Sequence, residues 1–157
     1  MKYALDWLSD PEVFAVNRIA AHSDHKYYRN YYEMEEKNSS FIQNLNGIWK
    51  FAWAKNPSER IEDFYKEDFN TDSFDNIRVP GHIELQGYGK PQYVNTMYPW
   101  EGRETLFPPY ISEKDNPIGS YVRYFDLEDG LKGKDIYISF QGAETAIYVW
   151  LNGSFIG

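Results

Sequence analysis

Residues 79–100 read VPGHIELQGYGKPQYVNTMYPW, with three glycines, three prolines, three tyrosines and a tryptophan. Proline fixes φ and lacks an amide donor, and glycine opens φ > 0, so this spacing rules out a long helix or a central strand. The stretch reads instead as a long, ordered, aromatic loop on a rigid scaffold, where functional groups concentrate. Asn95 stands near its middle, in Tyr93-Val94-Asn95-Thr96-Met97-Tyr98-Pro99.

The scaffold is legible on either side. Trp49, Phe51 and Trp53 alternate with Ile48, Lys50 and Ala52, the two-residue period of a strand with one buried face. Further alternation marks strands over 120–127, 135–140 (Ile136, Ile138, Phe140) and 146–151 (Ile147, Val149, Leu151). Asn152-Gly153 is the signature of a two-residue hairpin turn leading into Ser154-Phe155-Ile156. Asn56-Pro57-Ser58-Glu59 supplies a cap, an N1 proline and an acidic third position; Ile61, Phe64 and Tyr65 then share a face, predicting one short helix over 57–66. Residues 1–40 keep no period: a turn at Asp10-Pro11, then an aromatic run from Tyr27 to Tyr32 and an acidic run from Glu33 to Glu36, which read as an extended N-terminal arm wrapping something else. Short alternating strands joined by turns, with one helix, indicate a mainly-β antiparallel sandwich over 41–157. Gly157 falls three residues into the second arm of a hairpin, so the expectation is a truncated sheet, missing closing strands and prone to strand exchange.

Composition narrows the functional classes. A net charge of −8 opposes a nucleic-acid surface, which needs clustered Lys and Arg. With no cysteine there is neither a disulfide framework nor thiolate chemistry. The opening residues lack the apolar run of a signal peptide, and no stretch is long and apolar enough to span a bilayer, which makes a cytoplasmic protein without membrane contact the expectation.

Eight segments in register resemble a known family. They are Asp6-Trp7, Val16-Asn17-Arg18-Ile19-Ala20-Ala21-His22, Leu45 to Trp53, Val79-Pro80-Gly81-His82, Tyr93 to Pro99, Pro108-Pro109, Asn116 to Tyr121, and Trp150-Leu151-Asn152-Gly153. Together they resemble the N-terminal, sugar-binding domain of large bacterial β-galactosidases of glycoside hydrolase family 2. The resemblance implies a jelly-roll β-sandwich followed by immunoglobulin-like domains and a TIM barrel. Both catalytic glutamates would lie in that barrel, so no catalytic residue is expected in this chain.

The resemblance also assigns roles. Asn95 matches the asparagine this domain lends to the family's substrate site. An amide offers one carbonyl acceptor and two N–H donors and can orient sugar hydroxyls without competing for the catalytic proton. The bland alternative is an asparagine that only satisfies its own loop. Tyr93, Tyr98 and Trp100 either stack on a sugar ring or pack the loop on its own domain. Asp6, Asp10 and the Val13 carbonyl match positions that help to bind a structural divalent cation, although Asp10 replaces an asparagine and the loop is one residue longer than the pattern. Their oxygens suit Mg²⁺, and the resemblance implies Mg²⁺ and Na⁺ for a full-length parent. His22, Asp24 and His25 lack a third ligand and read as a surface loop, as Glu33, Glu35 and Glu36 read as a solvated run.

Three readings from different classes follow: the leading domain of a homo-oligomeric β-galactosidase that docks on downstream domains, a free-standing carbohydrate-binding module, or a structural interaction domain.

Overall fold

The computed structural model describes residues 4–23, 25–91, 95 and 98–157. Five strands in two antiparallel sheets dominate it: β1 (Gly47–Ala54), β2 (Asp75–Val79), β3 (Ile118–Val122), β4 (Trp150–Leu151) and β5 (Ser154–Phe155). The expected mainly-β class is therefore correct, with few helices and no barrel among the described residues.

The larger sheet has the order β2-β1-β3. β1 is central because both its edges are used: Trp49 lies opposite Ile77 on β2, and Phe51 lies opposite Tyr121 on β3. Of the alternating residues Trp49, Phe51 and Trp53, expected to share a buried face, only Phe51 is buried, whereas Trp49 is half-buried and Trp53 exposed. Phe51 is fully buried and Ile77 is 1% exposed, so the core sits under the centre of this sheet. The Phe51 ring contacts Tyr88 and Tyr121, with centroids 4.7 Å away in each case. Gly119 on β3 makes this approach possible, since a Cβ there would fall 2.7 Å from Phe51 Cε2. Packing of this density leaves no room for an added methyl without strain.

The smaller sheet is the hairpin that Asn152-Gly153 predicts. Both turn residues have positive φ, 46° and 73°, as a type I′ turn requires. Irregular backbone bonds extend the pairing beyond the formal strands, from Val149 N–H to the Gly157 carbonyl (2.7 Å) and from Ile156 N–H to the Val149 carbonyl (2.9 Å).

Several expectations need correction. The helix predicted over 57–66 is only a 3-10 turn, Pro57–Glu59. Asn56 does cap it, accepting from the amides of Ser58 and Glu59, but Arg60 turns extended and Asp63 takes φ 59°, so the chain leaves the helical path. Phe64 and Tyr65 instead face Trp150. The one α-helix among the described residues, α1 (Tyr31–Glu35), lies within the segment read as period-free. Asn30 caps it by accepting from Glu33 N–H, while Glu33 Oε2 accepts from Arg29 N–H at 2.9 Å. Glu33 is thus not simply solvated, and the bond from Arg29 N–H holds its carboxyl below the usual range. No strand forms over 135–140: Ile136, Tyr137, Ile138 and Phe140 are all exposed, and alternation without a pairing partner does not make a sheet. The strand predicted over 120–127 stops at Val122.

The turn expected at Asp10-Pro11 is present and is preceded by a 3-10 helix, Leu5–Ser9. It places Trp7 against the hairpin, stacked on Tyr148 with an interplanar angle of 8°. Tyr148 stacks in turn on Trp150, and Trp150 on Tyr65, with Phe155 tilted against Trp7 and Tyr148 and edge-on to Trp150. The Tyr148 hydroxyl donates to the Ala4 carbonyl at 3.0 Å. Tyr27, Tyr31 and Tyr32, by contrast, are exposed.

Candidate functional site

The aromatic loop leaves the sheet at the end of β2 and is fastened where it begins. Gln86 folds back on β2 as a surrogate strand: Oε1 accepts from Arg78 N–H at 2.8 Å, and Nε2 donates to the Arg78 carbonyl at 3.0 Å. Gly81 permits this, since a Cβ there would lie 2.7 Å from Gln86 Nε2 and 2.9 Å from the Arg78 carbonyl oxygen. A 3-10 turn, Glu84–Gln86, ends at Gly87 with φ 97°, which a residue with a side chain adopts only under strain. Tyr88 then drops its ring onto Phe51 while its hydroxyl donates to Asp75 Oδ2 at 3.0 Å. Desolvation, followed by that carboxylate, holds the phenol above its ordinary range. Gly89 lies against the Trp53 indole.

The far end is fastened as well. Trp100 Nε1 donates to the Asp115 carbonyl, and Arg103 Nη1 meets Asp115 Oδ2 at 3.0 Å. Ser112, only 1% exposed, donates to Glu104 and accepts from the amides of Lys114 and Asp115. Tyr98 and Glu101 close a turn between these anchors: Tyr98 N–H donates to Glu101 Oε2 (3.0 Å), and Glu101 N–H to the Tyr98 carbonyl (3.1 Å).

Asn95 lies in a bend between the two anchored ends and is exposed. Of the aromatics considered for stacking, Trp100 is half-buried and tied into its own domain, whereas Tyr98 is 84% exposed. Tyr93 lies outside the described residues, as do Val94, Thr96 and Met97.

The residues matched to a cation site lie elsewhere, along the Leu5–Ser9 turn and just past it. Asp6 and Asp10 are both exposed. Asp10 Oδ1 accepts from Glu12 N–H at 3.0 Å, and the Asp10 carbonyl accepts from Val13 N–H at 3.1 Å. Among the described residues no group of three or more His, Cys, Asp or Glu side chains could hold a metal. Asp6, Asp10 and the Val13 carbonyl offer hard oxygens of the kind Mg²⁺ takes, an ion that usually keeps several waters beside one or two carboxylates. His22 bonds the Ala20 carbonyl through Nδ1, and Asp24 lies outside the described residues.

Sequence reasoning missed Gln86, Asp115 and Ser112, which hold the loop in place. Their partners are set by tertiary folding and leave no local pattern. No described helix is long and apolar enough to cross a membrane.

Comparison with known proteins agrees with the resemblance. Residues 42–157 match the family described as "Glycosyl hydrolases family 2, sugar binding domain". The chain is 55% identical over 157 residues to a β-galactosidase of Clostridium acetobutylicum, covering 99% of this chain and 18% of that protein. It is 56% identical over 154 residues to a β-galactosidase of Halalkalibacterium halodurans, covering 98% of this chain and 15% of that one. A β-galactosidase large subunit of Leuconostoc lactis is 53% identical over 169 residues, covering all of this chain and 27% of the subunit. The chain thus spans between 15% and 27% of the length of these relatives.

Proposed function

This chain belongs to the sugar-binding domains of glycosyl hydrolase family 2, and from that premise we propose that it serves as the leading domain of a retaining β-galactosidase acting on terminal β-D-galactosides such as lactose. The observation that carries the proposal is the exposure of Asn95 at the middle of a loop fastened at both ends. An amide so placed can donate to one sugar hydroxyl and accept from another. Fastening the loop before substrate arrives reduces the ordering cost of binding.

In retaining hydrolysis one carboxylate attacks the anomeric carbon while another protonates the leaving oxygen and later activates water. Both carboxylates belong, in this proposal, to a TIM barrel elsewhere in the longer protein. Asn95 contributes orientation: it holds the galactosyl ring while bonds are made and broken by other groups. The remaining contribution of the domain is assembly, with downstream domains of the same protein completing a jelly roll and further copies forming a homo-oligomer in the cytoplasm. Asp6, Asp10 and Val13 would then be part of a cation site whose other ligands come from that longer protein.

The test is an assay of the longer protein on a panel of glycosides beside the 157-residue polypeptide alone. The proposal expects β-galactoside hydrolysis by the former and none by the latter. Galactoside affinity of the polypeptide alone should be barely measurable by calorimetry, since each of the one or two hydrogen bonds an amide makes contributes only about 0.5–1.5 kcal/mol. Tight galactoside binding by the polypeptide would favour a free-standing carbohydrate-binding module, and hydrolysis confined to another glycoside would overturn the substrate assignment.

A further inference from the structure

We infer that Gln86 closes the outer edge of β2 to strand addition, so that β2 ends its sheet in the longer protein as it does in this chain. In an antiparallel ladder the N–H and C=O of one residue point to the same side, and successive residues alternate sides. The Arg78 N–H and carbonyl both meet Gln86, at 2.8 and 3.0 Å, so they face away from β1. Asn76, two residues earlier on the strand, faces the same way. Asp75, Ile77 and Val79 are left to pair with Phe51, Trp49 and Gly47. The outer edge of β2 therefore has Asn76 and Arg78 to offer an incoming strand, and Arg78 is already taken. Asn76 alone cannot carry a ladder.

Neighbouring contacts make room for this cover and hold it down. Gly81 leaves the space that Gln86 needs, since a Cβ there would fall 2.7 Å from Gln86 Nε2 and 2.9 Å from the Arg78 carbonyl oxygen. Tyr88, just past Gln86, bonds Asp75 Oδ2 at 3.0 Å and packs on Phe51, which keeps the covering segment along β2. The same device recurs on β1, which begins at Gly47 although its pairing with β3 begins at Lys50. Beyond that point Arg123 Nη1 donates to the Ile48 carbonyl at 2.7 Å, a side chain again standing in for a strand. Edges with unpaired groups recruit other strands, and covering them prevents it. A strand from any source, within the longer protein or outside it, would have to displace Gln86 before it could pair with β2. Once the cover is removed, the first occupant is a second copy of β2. Antiparallel pairing about Ile77 sets Asn76 of each copy against Arg78 of the other and closes as a symmetric dimer.

The test uses the longer protein carrying this chain and reads amide exchange and sedimentation. In the wild type the Asn76 amide should exchange at least roughly tenfold faster than that of Ile77, which pairs with β1. Equal protection of the two would mean that another strand lies on β2 and would overturn the inference. Gln86→Leu, similar in size but unable to bond Arg78, should produce a species larger than the wild-type assembly, growing with concentration. Adding Asn76→Pro to Gln86→Leu removes an outward N–H without touching the β1 ladder, and should restore the wild-type assembly. Gly81→Ala keeps Gln86 but crowds it off Arg78, and Gly81 is not at positive φ, so this variant should associate in the same way. It decides the matter if Gln86→Leu fails to fold. A wild-type assembly in every folded variant, or association that Asn76→Pro leaves unchanged, would overturn the inference.

Discussion

The three-stranded sheet and the C-terminal hairpin hold together by different means. In the sheet, β1 is paired on both edges and its Phe51 is fully buried, so hydrogen-bond ladders and apolar burial act on the same residues. In the hairpin only two residues on each side form the strands, none is buried, and order comes from rings: Trp7, Tyr148, Trp150 and Tyr65 stacked in series with Phe155 across them. Burial on this scale yields a rigid base, whereas half-exposed stacking yields a joint that links the N-terminal segment to the end of the chain. The loop bearing Asn95 grows from the rigid base.

Four perturbations would sharpen or break this contrast. Phe51→Ala should have the largest effect, destabilising the chain by about 3–5 kcal/mol in denaturant unfolding and loosening Tyr88 with it, because the ring is wholly enclosed. Trp150→Ala should cost less, about 1–3 kcal/mol, and should appear as loss of hydrogen-exchange protection in the hairpin and near Trp7 while the β2-β1-β3 amides stay protected. Equal loss in both sheets would mean that the two regions unfold as one. Gly153→Ala, with φ 73° and no close obstacle around the added methyl, should cost about 1 kcal/mol through backbone strain alone, again confined to the hairpin.

The smallest effect concerns alkaline pH. Burial, and then the nearby Asp6 carboxylate, raise the Tyr148 phenol above its ordinary value of 10.0. The unfolded chain loses this proton first, so the folded state binds more protons above pH 10.0 and the contribution of Tyr148 declines as pH rises through its folded value; below 10.0 it is fully present. Tyr148→Phe should therefore remove that alkaline sensitivity at the modest cost of the hydrogen bond to Ala4, measured by thermal melting between pH 8 and 11. An alkaline slope identical in Tyr148→Phe would locate the effect elsewhere; Tyr121, also raised by burial, is the next group to test.

How far the sequence could be read depended on how local each cause was. The Asn152-Gly153 turn and the capping of Asn56 are short-range effects, and both were legible. The alternation of Trp49, Phe51 and Trp53 identified β1 because a paired strand was there to use it. The same alternation at Ile136, Ile138 and Phe140 misled, since period alone does not reveal whether a partner exists. The helix over 57–66 failed because Phe64 and Tyr65 answer to Trp150, a contact across more than eighty residues. Helix α1 was missed although Asn30 and Glu33 carried a capping-box signal that would have found it. Around Asn95, the irregular loop itself was legible from its glycines and prolines. The anchors Gln86 and Asp115 were not, because their bonds form only after the chain has folded back on itself.

The central claim is that Asn95 bonds particular hydroxyls of a galactosyl ring, and a substrate-deletion cycle on the longer protein addresses it most directly. Singly deoxygenated β-galactosides would be compared with the intact substrate, in wild type and in Asn95→Ala. The account predicts that removal of one particular hydroxyl costs about tenfold in kcat/KM for the wild type and little for the variant, a coupling of about 1.4 kcal/mol with melting temperature unchanged. Deoxygenation penalties that are the same in both proteins at every ring position would contradict it.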